Sequence, residues 1–331
     1  MKIVAADIGG TKTLLRLSKI QDGTLATIRE QRFVSADYGQ FEDILQKFLA
    51  GQHGIEAACF GLAGPIEGRL AKVTNLPWQM DGDKIAAGAG IAKVKLINDF
   101  AAIGYAVPAL QADDLLTLQK GSAISHAPIA ILGAGTGLGE AILTWCGERY
   151  QVIPTEGGHG HFAPTNAQQM ELLAFLLKRF NRVSNERLLS GNGVINVFDF
   201  LQYNRHSPIN AELHQAMQRD DPAKIIAEFA ARGEDETAVA SMELFSEIYG
   251  QCAGDLALTA LSRGGVYVAG GIAAKNKQLF QQDGFLRSFN EKGRMTLLMT
   301  RMPVHIILNT QVGLIGAEQV AMLLAQGKIT V

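Results

Sequence analysis

Apolar positions along the first hundred residues follow two different periods. The stretches "KIVAADI", "TLLRLSKI" and "TLATIREQRFV" are apolar at alternating or consecutive positions and predict strands, whereas Phe41, Ile44, Leu45 and Phe48 recur at helical spacing. "IEAACFGLAG" and "AKVKLIN" read as two further strands. Strands joined by helical crossovers predict a largely parallel α/β sheet, and ligands of such sheets sit at the carboxyl ends of the strands.

A strand-glycine-strand pattern like that of residues 2–18 returns in "AILGAGTGLGEAIL", residues 130–143, and predicts two related α/β lobes. The segment from Pro128 to Trp145 is apolar enough to be weighed as a membrane span. Glu140 and four glycines interrupt it, so it reads as two strands and a turn. From about Asn166 to Leu261 the pattern is mostly helical, ending in an amphipathic segment with Val239, Met242, Phe245, Tyr249, Cys252 and Leu256 on one stripe. These are expected core residues. A strand "GVYVAGG", an irregular basic stretch, a strand "VHIIL" and a helix "VGLIGAEQVAMLLAQ" complete the chain. No low-complexity linker separates the lobes.

Composition narrows the function. The 331 residues are 47% hydrophobic, enough for a large core, and a formal net charge of -2 offers no long-range field to gather nucleic acid or anionic lipid. Cys59, Cys146 and Cys252 are isolated and never spaced as a C-x-x-C pair, which argues against a disulfide framework and a thiolate zinc site. The N-terminal segment lacks the apolar run of a secretory signal. A cytoplasmic setting is expected.

Three glycine-containing turns are candidates for holding phosphate. "AADIGGTKTLL" puts an acidic residue at a strand end, then two glycines and a threonine before the next strand, and backbone N–H groups in such a turn can cradle phosphate oxygens. A P-loop is excluded, because Thr11 separates Gly10 from Lys12 and a strand follows. "GAGTGLG" likewise departs from the dinucleotide fingerprint. Each loop taken alone also reads as an ordinary hairpin turn; two in corresponding places favour a phosphate clamp. Gly270-Gly271, in "VYVAGGIAAK", is either a tight strand-to-helix turn or a close approach for a ligand. In "PTEGGHGHF", residues 154–162, a carboxylate, glycines and two histidines fit a metal site, an acid/base pair or a loop that holds a small molecule.

Over essentially its whole length the sequence resembles the bacterial glucokinases of the actin-like ATPase and sugar kinase superfamily. "DIGGTK" is similar to the first phosphate loop, "GAGTGLG" to the second, "VAGGI" to the adenosine motif and "VGLIGAE" to a connecting segment. "LINDF", "TEGGH" and "NERLLSG" are similar to the sugar-binding motifs, in the family's order. The resemblance implies an α/β protein with a two-lobed actin-like ATPase (ribonuclease H-like) fold and a ligand cleft between the lobes. Residues 1–108 with 313–331 would form a small domain, and 109–312 a large one with a helical insert. It implies Asp99 as general base and Asn75, Asn98, Asp99, Glu156, His159 and Glu186 around the sugar. Asp7, Gly9, Gly10, Thr11, Lys12, Gly135, Thr136, Gly137, Gly270 and Gly271 would serve the nucleotide, and Asp7 would position Mg²⁺ through water. Glucose, ATP and Mg²⁺ are the implied ligands, a homodimer the implied assembly, with no nucleic acid and no membrane as partners.

The sequence departs from the family pattern at Lys12, where asparagine is frequent, at His161, where an acidic residue is common, and at Asn192, where proline is usual. The cysteine cluster of the zinc-binding sugar kinases is missing, so no zinc is predicted. Sugar sites are rich in Asp, Glu, Asn and His because these groups bond hydroxyls directionally, and two glycines let Glu156 and His159 face one ligand. His161 is expected to be exposed or supporting. Asp99 also reads as a helix N-cap, and Glu186 as an acidic residue at the start of a helix. Kinases of mannose, fructose or an amino sugar remain alternatives, as does a sugar-responsive regulator, for which the first strand leaves no room ahead of residue 2.

Overall fold

The computed structural model describes residues 1–205 and 210–331. The chain divides into two compact units: Met1–Gln111 with Tyr150–Pro154 and Asn309–Val331, and Ala112–Arg149 with Thr155–Leu308.

In the first unit the strands are β1 (Lys2–Ile8), β2 (Lys12–Gln21), β3 (Thr24–Val34), β4 (Ile55–Leu62), β5 (Ile66–Glu67), β6 (Leu70–Lys72), β7 (Gln79–Asp81) and β8 (Lys93–Asn98). The main sheet runs β3-β2-β1-β4-β8, and β5, β6 and β7 form a separate small sheet. β1, β4 and β8 are parallel, whereas β2 is antiparallel to both β1 and β3. The sheet is therefore mixed rather than largely parallel. The reason lies in the connections: Gly9–Thr11 and Asp22–Gly23 are too short for a crossover and can close only hairpins. Asp22 and Gly23 take φ of 49° and 78°, the left-handed pair that a two-residue hairpin turn demands.

β1 and β4 are buried on both faces and read as nearly continuous apolar runs, while the edge strand β3 exposes its polar residues. Phe41, Ile44, Leu45 and Phe48 line the inner face of the helix Phe41–Phe48. The helix Val312–Ala325 packs on the helix Asp99–Ala106 and on β1 and β4. Its approach depends on Gly316, where a Cβ would run into the backbone carbonyl of Ala102. Arg16 on β2 ties this helix down through bonds to Glu318 and to Gln311, at 2.9 and 3.0 Å.

The second sheet contains β9 (Leu115–Gln119), β10 (Ile129–Ala134), β11 (Leu138–Trp145), β12 (Tyr150–Thr155), β13 (Gly265–Ala269) and β14 (Val304–Ile307), in the order β12-β11-β10-β13-β14-β9. β10 and β11 form an antiparallel hairpin, and β13 and β14 follow parallel to β10. This repeats the pattern of β1, β2, β4 and β8. The segment Pro128–Trp145 is two strands and a turn, and no helix among the described residues is long and apolar enough to cross a membrane.

Between β12 and β13 the chain is mainly helical, ending in the helix Glu236–Ala260, where Met242, Phe245, Tyr249, Cys252 and Leu256 are buried and Val239 is half-buried. The stretch expected to be irregular, after β13, instead holds the helices Gly271–Lys275, Lys277–Phe280, Asp283–Asn290 and Thr296–Met299. Its basic residues other than Lys292 are exposed, while Phe280, Phe285 and Phe289 are fully buried, the first two edge-on to Tyr249. Aromatic anchoring decides the structure there, not charge.

Because Gly316 leaves no room for a side chain, Gly316→Ala should destabilise the protein by roughly 2 kcal/mol, within the range of overpacked cores. Urea unfolding checks this; an unchanged midpoint would mean that the helix contact is looser than described.

Candidate active site

In the first unit the β1–β2 turn is built from its own backbone. Gly9 N–H donates to the Lys12 carbonyl at 2.9 Å, and the Ser35 hydroxyl donates to the Gly9 carbonyl at 2.8 Å. Buried Thr13 adds a 3.0 Å bond to Ser35. Gly10 lies against Asn75, whose Cβ would be 3.4 Å from a Cβ on that glycine, and Asn75 itself takes a left-handed φ of 64°. The structure thus brings Asn75 to the glycine turn, with Thr11 and Lys12 exposed beside it.

Asp7 and Asp99 stand at the carboxyl ends of β1 and just beyond β8. Burial pushes the Asp7 carboxyl above its usual range, and the nearby Lys12 charge pulls it partly back. Gly313 keeps the space next to Asp7 clear: a Cβ there would sit 3.2 Å from the carboxylate. Asp99 is pushed up to about 6, first by burial and then by the Asp7 charge, against the lowering pull of its bond from Phe100 N–H.

The expected alternative role of Asp99, helix N-cap, is corrected by the structure. Asn98 is the cap: its Oδ1 accepts from Phe100 N–H at 2.9 Å and Ala101 N–H at 3.4 Å, and its φ and ψ of -64° and 150° are those of a capping residue. Asp99 is the first helical residue, which releases its carboxylate from sole service to the helix end. A sugar contact from Asn98 would have to use its amide nitrogen.

The second unit carries the other glycine turns. Gly135 N–H donates to the Gly137 carbonyl at 2.8 Å, and the Gly135 carbonyl accepts from Gly191 N–H at 2.9 Å, leaving Thr136 exposed at the tip. Gly270, at φ 88°, closes on the Ala134 carbonyl where any Cβ would clash, while Gly271 opens on free space. The Gly135 and Gly270 turns thus lie at the ends of neighbouring parallel strands, β10 and β13.

The loop that follows β12 forms a short 3-10 turn, Gly157–His159. His159 lies between two carboxylates, its Nε2 3.8 Å from Glu156 and its Nδ1 3.9 Å from Glu186. Glu156 is 88% exposed at its side chain, so its oxygens face solvent and any incoming ligand. Residues predicted from two separate motifs are thereby brought together, and His159 and Glu186 line a concavity with Phe180, Asn181, Arg182 and Ser184. Glu186 lies, as its sequence suggests, at the start of a helical segment. It sits in the 3-10 turn Asn185–Arg187, and its carboxylate is held by Leu138 N–H at 3.1 Å, directly after the Gly135–Gly137 turn. His161 is exposed and its backbone bridges to Ser184.

Sequence reasoning missed Gly313, Ser35 and Thr13, which shape the first turn and the space at Asp7. Only the "VGLIGAE" motif gave a signal for one of them. No cluster of three or more His, Cys, Asp or Glu residues able to hold a metal occurs among the described residues.

Similarity to known proteins identifies the family of the chain. The profile of the glucokinase family matches residues 4–324. A glucokinase of Nostoc sp. is 43% identical over 332 residues, covering 95% of this chain and 97% of its own. Among solved structures, a glucokinase from an Antarctic psychrotroph superposes with a TM-score of 0.85 at 29% identity, covering 97% of this chain and 98% of that one. A glucokinase of Balamuthia mandrillaris, solved in complex with glucose, shares the fold with a TM-score of 0.78 at 22% identity, covering 97% and 93%. With a family match across nearly its full length and relatives well above 30% identity, the chain belongs to the glucokinase family, enzymes that phosphorylate glucose.

Proposed function

We propose that the chain transfers the terminal phosphoryl group of ATP to the primary hydroxyl of glucose, with Asp99 as the general base. The observation that carries this reading is the Asp99 carboxyl at a strand end beside Asp7, held near a pKa of 6 by burial and by its neighbour's charge. A base poised close to neutrality is ionised at working pH, yet basic enough to draw a proton from a hydroxyl.

Glu156, His159 and Glu186 then accept and donate bonds to the ring hydroxyls of the same glucose, and Asn98 and Asn75 add amide contacts. The turns Gly9–Lys12, Gly135–Gly137 and Gly270–Gly271 hold the nucleotide through backbone N–H groups, which can approach phosphate closely because no Cβ intervenes. The repeated order of hairpin and parallel strands in the two sheets supports assigning both units to the two-lobed actin-like ATPase type.

Mg²⁺ fits the residues present. Asp7 and Asp99 are hard oxygen donors in a buried setting where the Asp7 charge raises Asp99, and Lys12 is the cation that partly offsets Asp7. Asp7 would hold Mg²⁺ through water, and the ion when bound neutralises charge on the phosphate oxygens. Asp99 takes the proton from the primary hydroxyl, and the sugar-holding residues keep that hydroxyl in line.

Asp99→Asn should lower turnover at least about a hundredfold while glucose still binds, as measured by ADP release and calorimetry. In the unaltered chain kcat/KM should fall as pH drops below about 6. The same substitution should stabilise the fold at alkaline pH. A native pKa raised above the unfolded one means that stability falls as pH rises from the ordinary carboxylate range to about 6, and stays lower above it. Asp99→Asn removes that loss, a gain on the order of 3 kcal/mol near pH 8 that vanishes below about pH 3. Glu156→Gln should raise the KM for glucose more than the KM for ATP; equal effects would signal general damage instead.

A further inference from the structure

The helix Glu236–Ala260 underlies both groups of site residues in the second unit, and two side chains on one of its faces make the contacts. Tyr249 is fully buried. Its hydroxyl accepts from Ala134 N–H at 2.8 Å and donates to the Ala269 carbonyl at 3.5 Å. Ala134 and Ala269 end β10 and β13, and the next residues are Gly135 and Gly270. One phenolic oxygen therefore spans the roots of two glycine turns on separate strands.

Three residues along the same face, Cys252 Sγ lies 3.8 Å from one carboxyl oxygen of Glu140. The other oxygen of Glu140 packs against Gly157, where any Cβ would collide with it, at the first residue of the 3-10 turn that carries His159. Glu140 is only 5% exposed and pairs with no lysine or arginine among the described residues. A buried carboxyl without a cationic partner costs stability and is not explained by core packing. Glu140 is on β11, two residues after Leu138, whose N–H holds Glu186.

We infer that Tyr249 and Glu140 are positioning residues that act separately on the two substrates. Tyr249 fixes the spacing of the Gly135 and Gly270 turns and so serves the nucleotide; Glu140 sets the height of the Gly157–His159 turn and so serves the sugar. The inference rests on the assignment of those turns under Proposed function.

The test is a pair of opposed substitutions in the full chain, with steady-state kinetics in each substrate and calorimetric binding of glucose alone and of a non-hydrolysable ATP analogue alone. Tyr249→Phe keeps the ring and removes only the bridge. It should raise the KM for ATP and the analogue Kd about three- to tenfold, the span of one lost hydrogen bond, and leave the glucose values within about twofold. Glu140→Ala should do the reverse, and Glu140→Gln, which keeps the shape and polar atoms, should restore glucose binding to within about threefold of the parent.

A purely structural role would lower the melting temperature and shift both substrates together, or neither; either pattern overturns the inference. If Glu140→Ala does not fold, Glu140→Asp, which withdraws the carboxyl from Gly157, is read in the same way. Failure of the parent reading has a different signature: the unaltered chain would then release no ADP in response to glucose.

Discussion

The proposed chemistry depends on two carboxyl groups held against burial at one end of one sheet. Asp7 near the end of β1 and Asp99 just after β8 stand on strands that run parallel on either side of β4, so the topology places them at the same end of the sheet. Burial alone raises a carboxyl pKa, and a second charge close by raises it further. Asp99 is left near 6 by this combination, and Asp7 is also raised by its burial, with Lys12 only partly offsetting the rise. The fold carries the cost of ionising Asp99, and the proposed reaction would use the basicity that results.

The rest of the first unit serves that arrangement. Gly313 stays small so that the Asp7 carboxylate has space, and Gly316 lets the same helix lie close on the helix that Asp99 begins. Arg16, bonded to Glu30, Glu318 and Gln311, fastens the start of that helix to the sheet. Asn98 takes over the capping of the Asp99 helix, so two adjacent residues divide a structural and a chemical task that a lone aspartate could not perform together. In the second unit the same economy appears in Leu138, whose N–H holds Glu186 from the strand that emerges from the Gly135–Gly137 turn.

Much of this was legible in the sequence because it lies in short, local patterns. The strands β1, β2, β4, β8, β10, β11, β13 and β14 follow from apolar runs, and the glycine turns and the "TEGGH" loop follow from residue types that few other structures require. What escaped the sequence depends on distant partners or on connection length. The mixed character of the sheets is dictated by the three residues between β1 and β2, which periodicity does not register. The helices after β13 form because Phe280, Phe285 and Phe289 pack on a helix tens of residues earlier, whereas the basic residues dominate a linear reading. The bridge from Tyr249 to Ala134 and Ala269 joins three segments, and no window along the chain contains more than one of them.

Asp99 is proposed as a base because its carboxyl is raised by burial and by the charge of Asp7. The most direct measurement is a carbon-13 NMR titration of the Asp99 carboxyl in the free protein and in Asp7→Asn. The account predicts a midpoint of about 6 that moves downward when the Asp7 charge is removed. A midpoint in the ordinary range near ~4, or one that Asp7→Asn leaves unmoved, would contradict it.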